Sequence, residues 1–240
     1  MELLPMPRQI GLKRAFCTSS DDFVRYVRDL NGKACLYTSL YSFDVPGDYD
    51  SVVMDRAWWD FDMNDTWPME QVKLHVATLL QRLDGDVRLV ATGRGFHVHQ
   101  PFARPVRGRD WAGHLDRYER EMAKDLGSLD GVGYPEKMTR ISGTRNVKRG
   151  RWAVTIRARD FQRNPRMRIP DRPVEAYRHL DPFQGVVHRD QCFDLVKWVH
   201  ANPAPQRHAT GLSTDGKALG LTHGPCALPV CLERAIHVSN

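Results

Sequence analysis

Apolar and polar positions recur along this chain with two periods, and the changes of period mark its elements. From Ser51 to Asp62 the run Val52, Val53, Met54 leads into Trp58-Trp59-Asp60-Phe61-Asp62. A period of two predicts a strand with Asp60 and Asp62 on one face and Trp59 and Phe61 on the other. From about Pro68 to Leu83 the spacing of Val72, Val76, Leu79, Leu80 and Leu83 predicts a helix, with Thr66 near its cap. Val87 to Thr92 and Phe96 to Gln100 read as two strands hinged at Gly93 and Gly95. Trp111, Leu115, Tyr118, Met122 and Leu126 mark one face of a long helix that Gly127 ends.

Shorter patterns fill the rest. Asp21 to Leu30 predicts a first helix capped by Ser19 or Ser20, and Ala34 to Phe43 a strand. Arg151 to Ile156 reads as a short strand and Asp190 to His200 as a later helix. Asn164 to Pro173 and Asn202 to Gly216 carry loop or linker composition. Strands and helices interleave with hairpin-like pairs, so an α+β fold is expected rather than a doubly wound parallel sheet. With 240 residues the chain fits one large domain or a domain with an appendage. No apolar run approaches the roughly 20 residues that span a bilayer. The N-terminus lacks a basic-then-apolar leader, so a cytoplasmic protein without a membrane partner is expected.

Charge divides the chain. Lys137 to Arg178 holds 13 Lys or Arg against three acids, whereas Met1 to Asp65 holds 11 acids against seven bases. Arginine binds phosphate through a bidentate fork, and Trp152, Phe161 and Tyr177 are spaced through the basic block. Such a block suits a polyanion, most simply nucleic acid. A solvated basic face is the alternative. The five cysteines are an odd number without a secretory context, which argues against a disulfide framework. Cys226 and Cys231 are too few for a metal or iron–sulfur site of about four ligands; the plain reading is two small hydrophobes at a helix start.

The acidic strand end carries the chemistry. Two carboxylates on one face repel each other unless a cation lies between them, and Mg²⁺ or Mn²⁺ takes oxygen ligands. The glycines of Gly93-Arg94-Gly95-Phe96-His97 allow backbone to approach a ligand closely. A cation beside a glycine-rich basic turn points to a nucleotide phosphate site.

These residues resemble a family. Asp60 and Asp62, then Thr92-Gly93-Arg94-Gly95-Phe96-His97, then Leu129-Asp130, follow the ordered motifs of the archaeo-eukaryotic primases. The segment Arg140-Ile141-Ser142-Gly143-Thr144-Arg145-Asn146-Val147-Lys148-Arg149-Gly150 looks like the Arg-x-Pro-Gly-Ser-Leu-His-x-x-x-Gly segment of primase small subunits. The resemblance covers roughly Leu36 to Ile156. Thr92 stands where the family usually has Ser, Ser142 where it has Pro and Asn146 where it has His.

The resemblance implies a sheet built like an RNA-recognition motif, a smaller N-terminal αβ unit and a helical C-terminal extension. It implies a template-directed nucleotidyltransferase, a DNA primase or primase-polymerase, using NTP or dNTP on single-stranded DNA template. Asp60, Asp62 and Asp130 would hold a pair of Mg²⁺ or Mn²⁺ ions. Thr92, Arg94, His97, Arg140 and Lys148 would contact the nucleotide, His97 through its triphosphate. Arg157, Arg159, Arg163, Arg166 and Arg168 would track the nucleic-acid backbone without base specificity. A helicase or further primase subunit is a possible partner. An inactive nucleic-acid-binding replication-initiation module and a two-metal nuclease are the alternatives.

Neighbouring residues have plainer readings. A turn aspartate is the rival for Asp130. His99 is expected to be structural, Asp55 and Asp65 solvent-exposed or capping, and Trp58 and Trp59 part of the core or an interdomain seam. The expected division is a catalytic core over 1–160, a basic linker and helical segment over 161–216, and the start of a further module over 217–240. There Gly224-Pro225-Cys226, with Cys231, resembles the first-cysteine segment of the iron–sulfur domain of primase large subunits. The chain would then be a fragment of a longer fused primase. The remaining ligands are absent, and no cluster is assigned.

Overall fold

The computed structural model describes residues 5–183 and 188–204. Its elements begin with β1 (Arg8–Ile10), β2 (Ala15–Cys17), α1 (Ser20–Leu30), β3 (Tyr37–Ser39) and β4 (Ser42–Phe43). There follow β5 (Val52–Asp62), α2 (Met69–Arg82), β6 (Arg88–Ala91), β7 (Gly95–Arg107), α3 (Trp111–Met122) and β8 (Leu129–Val132). The last are β9 (Met138–Arg140), β10 (Arg145–Asn146), β11 (Arg151–Trp152), β12 (Val154–Arg157), α4 (Ala158–Arg163) and α5 (Leu195–Ala201). The fold is mixed α+β with several antiparallel sheets, the class expected from the interleaved pattern.

The main sheet has six strands in the order β12-β6-β7-β5, and the far edge of β5 pairs with β4 at one end and β8 at the other. Within it, β5, α2, β6, β7, α3 and β8 run strand-helix-strand-strand-helix-strand, and their spatial order is β6-β7-β5-β8. A four-stranded sheet, β2-β1-β3-β9, and a two-stranded ribbon, β10-β11, complete the set.

Alternation along β5 gives its two faces different work. Trp59 and Phe61, on the same face as Ala57, lie in register with Val98 and Phe96 of β7 and, through them, with Leu89 and Ala91 of β6. This face is the core, covered by Val72, Val76, Leu79 and Leu80 of α2, Leu115 and Tyr118 of α3, and Phe161 of α4. Each fully buried apolar side chain here contributes about 1.5–3 kcal/mol. The other face carries Trp58, Asp60 and Asp62 beside His97 and His99. Residues after 160 join the same core: Phe193 stacks on Tyr118 at 4.4 Å, and Trp198 meets the same ring edge-on at 5.0 Å.

A buried carboxylate links α3 to this sheet. Glu119 accepts the Trp58 N–H at 2.7 Å and the Gly133 N–H at 2.8 Å, so one side chain ties β5 to the residue after β8. Burial pushes its carboxyl well above the ordinary range. Glu119→Ala removes the acceptor of the buried Trp58 N–H. The expected cost is about 2–3 kcal/mol in urea denaturation, against about 0.5 kcal/mol or less for exposed Glu121→Ala. Equal midpoints for the two variants would refute the link.

Several expectations are corrected. The long helix ends at Met122 rather than at Gly127; Asp125 turns the chain with φ 64°. Gly127 is needed for packing instead, since a Cβ there would lie 2.2 Å from the Trp67 ring. Ala34–Phe43 breaks into β3 and β4 because fully buried Leu40 and Tyr41 carry the chain from one sheet to another. The run 151–156 breaks at Ala153 in the same way, into β11 and β12. The last helix starts at Leu195, where the Asp194 side chain accepts the Lys197 N–H. Pro68 occupies the cap of α2, and Asn64 rather than Thr66 ties the turn before it by accepting the Thr66 and Trp67 N–H groups. Asp55 is neither exposed nor a cap: it sits at the irregular register of β5, gripped by Arg56 at 2.7 and 2.8 Å. Among the described residues no helix is long and apolar enough to cross a membrane.

Candidate active site

The β6–β7 turn is shaped by two glycines. The Thr92 N–H donates to the Gly95 carbonyl at 2.9 Å, and the Gly95 N–H returns to the Thr92 hydroxyl at 3.1 Å. Gly93 turns with φ +88°, a left-handed conformation that costs other residues about 1–2 kcal/mol. Gly95 lies so close to β5 that a Cβ would sit 1.8 Å from the Phe61 carbonyl oxygen. The close approach expected toward a ligand is thus made, at Gly95, toward the protein's own strand. The turn brings Arg94 to Asp62, Nε to Oδ2 at 3.2 Å, and sets His97 opposite Asp60.

Asp60 is the most perturbed carboxylate of this face. Its Oδ1 is buried without a hydrogen-bond partner. His97 Nε2 stands 3.4 Å away, but burial pushes this imidazole down to about 3, so the contact is not an ion pair. The other ring nitrogen is 3.1 Å from the Thr139 hydroxyl. Burial pushes Asp60 up to about 6 against the opposing pull of Lys137, and Asp62 is raised by burial and then by Asp60. Asp130 is exposed on β8, beside the Gly131 that pairs with Asp60, and its charge raises both acids further. His99 is fully buried with Phe183 edge-on at 5.6 Å, and neither ring nitrogen has a hydrogen-bond partner among the described residues.

The facing wall is cationic. Pairing of β9 with β3 sets Arg140 opposite Tyr37; the guanidinium donates to the Tyr37 hydroxyl at 2.9 Å and lies 4.9 Å from the ring. Lys137 Nζ lies 4.7 Å from the ring of fully buried Trp58. A cavity of about 320 Å³ opens between the walls, at the small end of ligand sites. Asp60, Asp62, Thr92, Arg94, His97, Arg140 and Lys148 all line it. Asp130 does not. Sequence reasoning missed Lys137, Arg149 and Tyr37, which line it too. Lys137 stands in the basic block outside any motif, Arg149 falls at an unspecified position of the Arg140–Gly150 segment, and Tyr37 arrives only through strand pairing.

The five arginines expected to follow the nucleic acid lie elsewhere. Val154 pairs with Ala91 beside the turn, whereas Arg157 pairs with Arg88, about 10 Å further along at ~3.3 Å per residue. Arg157 engages Asp160 at 3.6 Å, and Arg168 engages Asp171 at 2.9 Å. Arg159, Arg163 and Arg166 are exposed. None of the five lines the carboxylate cavity. Cys226 and Cys231 lie outside the described residues, as does 217–240.

Among the described residues no three acidic, imidazole or thiol groups stand close enough to hold a metal by themselves. The donor set nevertheless fits a hard cation: Asp60 presents a buried oxygen with no partner beside a second carboxylate. Mg²⁺ is commonly held by one or two carboxylates, with substrate phosphates and water completing its shell. No protein-family model and no curated protein matches the chain.

Proposed function

We propose that this protein is a template-directed nucleotidyltransferase of the primase or primase-polymerase kind. The observation that carries the reading is the convergence of the acid pair, the Gly-Arg-Gly-Phe-His turn and the Arg140–Lys148 segment on one cavity. The strand order β6-β7-β5-β8 with α2 and α3 on one face supports an RNA-recognition-motif type of core. The sheet β2-β1-β3-β9 supports the smaller N-terminal unit.

Asp60 and Asp62, with Asp130 beside them, would hold one or two Mg²⁺ or Mn²⁺ ions, which when bound stabilise an attacking 3′-oxygen and a leaving pyrophosphate. Lys137, Arg140, Lys148 and Arg149 would neutralise the triphosphate and its growing charge. His97 is held by Thr139 as a neutral imidazole and can meet a phosphate oxygen only as a hydrogen-bond donor. Arg94, paired with Asp62, orients that carboxylate.

Incubation with labelled NTPs or dNTPs, Mg²⁺ or Mn²⁺ and a single-stranded template tests the reading. Strand synthesis is the expected result. Binding without synthesis would leave an inactive replication-initiation module, and degradation of the template a two-metal nuclease.

A further inference from the structure

The cationic wall continues past the nucleotide cavity. A second cavity, about 710 Å³, shares Arg94 and Arg149 with the first and is lined further by Met63, Met69, Gly93 and Arg151, with Asn64 and Asp65. We propose that it seats the 3′-terminal nucleotide of a single polynucleotide strand, the acceptor of the transfer; this rests on the nucleotidyltransferase reading above.

Three observations carry it. The first is continuity. Met63 follows Asp62 directly, so the second cavity begins at the residue next to the acid pair, and Arg94 and Arg149 line both cavities. In the transfer the acceptor's 3′-oxygen bonds to the nucleotide's α-phosphorus. The bond between the α-phosphorus and the α–β bridging oxygen breaks, pyrophosphate leaves with its electron pair, and the hydroxyl proton passes to water. Two adjoining cavities that share two guanidiniums suit two such substrates.

The second is charge. Three guanidiniums face a single carboxylate, that of Asp65. Arg94 is paired with Asp62, but Arg149 and Arg151 are exposed and have no carboxylate within ion-pair distance among the described residues. Their forks suit phosphodiester oxygens. The third is the floor. Met63 is 40% exposed, a large apolar surface that adapts to any base or sugar. The amide oxygen of Asn64 is already taken by the Thr66 and Trp67 N–H groups, so it is not free to read a base edge. With the strand held mainly by guanidinium–phosphate contacts, which carry no sequence information, the predicted binding is largely independent of sequence.

Arg151 lines the second cavity and not the first, which separates the two sites experimentally. Arg151→Glu should weaken binding of a fluorescein-labelled oligo(dT) about tenfold or more, near the worth of one hydrogen bond to a charged group. It should make the log–log salt dependence shallower by about 0.7 for each phosphate that is no longer neutralised. Arg151→Lys should recover part of the affinity. The KM for nucleotide at saturating primer–template should not move. An oligonucleotide ending in 5-iododeoxyuridine should photo-crosslink to the segment from Met63 to Met69.

Unchanged oligonucleotide affinity in Arg151→Glu, or crosslinks confined to Arg157–Arg168, would overturn the assignment. Should the wild type bind strands this way and incorporate no nucleotide, the strand site would stand and the transferase reading would fall.

Discussion

Replacing both Asp60 and Asp62 with asparagine should abolish nucleotide incorporation and leave a more stable protein. A catalytic residue replaced usually costs activity only; here the fold should gain, because the acids are held at odds with it. Asp60 has a buried, unpartnered oxygen and is pushed up to about 6 from 3.8. At about 1.36 kcal/mol per pKa unit, keeping it ionised at neutral pH costs up to about 3 kcal/mol. Asp62, raised in the same direction, adds to the cost.

The sign can be checked by pH. A carboxyl whose folded pKa is raised binds more protons folded than unfolded, so the penalty from Asp60 is absent below pH ~4 and grows as pH rises through ~6. In EDTA, Asp60→Asn should melt above the wild type at pH 7.5, and the gap should close by pH ~4. Adding Mg²⁺ or Mn²⁺ should raise the wild-type melting temperature and leave the double variant unmoved, because a cation relieves a repulsion that the amides lack. Incorporation should fall by on the order of 10³-fold or more, the worth of several kcal/mol of charge stabilisation. A double variant that still synthesises strands, or one that melts well below wild type at pH 7.5, would remove this account of the acids.

The parts of the site that can be read from sequence are those that the chain carries as contiguous pattern. β5 and α2 are long and strongly periodic, and their ends fall within one residue of the expected Ser51–Asp62 and Pro68–Leu83. The acid pair and the β6–β7 turn are local motifs on such elements. What escapes is made by pairing between distant segments. β1, β2, β8, β9 and β10 are two to four residues long, too short for a period of two to declare itself. β9 matters most, because its pairing with β3 carries Arg140, and Lys137 just before it, over the acids.

Charge has a similar limit. Composition finds the basic block, yet its division into a cavity wall and a distant stretch depends on where β12 leads. That strand starts beside the turn and leads Arg157 away from it. Asp55 is misread for the opposite reason. Its partner is the next residue, Arg56, and the pair is largely buried where the register of β5 and β7 shifts. Neither burial nor register is visible in the order of charges along a chain.

Gly95→Ala should be among the most damaging single substitutions in the chain, although it adds only a methyl group. The Cβ would fall 1.8 Å from the Phe61 carbonyl oxygen and 2.6 Å from Asp62 Oδ1. The first neighbour is backbone in the middle of the sheet, paired with β7 and β8, and a methyl cannot be fitted by turning a side chain. The start of β7 must therefore lift from β5. That breaks the Asp62–Gly95 pairing, draws Arg94 away from Asp62 and shifts the whole turn. A loss of about 3–5 kcal/mol is expected, at the upper end of single substitutions. Gly150→Ala is the control: it has φ +69° and nothing within 4 Å of the added Cβ, so only the left-handed backbone should cost, about 1–2 kcal/mol. Denaturant midpoints compare the two, and incorporation measured below both transitions separates a displaced site from an unfolded protein. Gly95→Ala should then be folded and nearly inactive, with Gly150→Ala close to wild type. Equal stability of the two variants would mean that β7 does not press on β5 as closely as this, and that the turn's glycines serve the ligand after all.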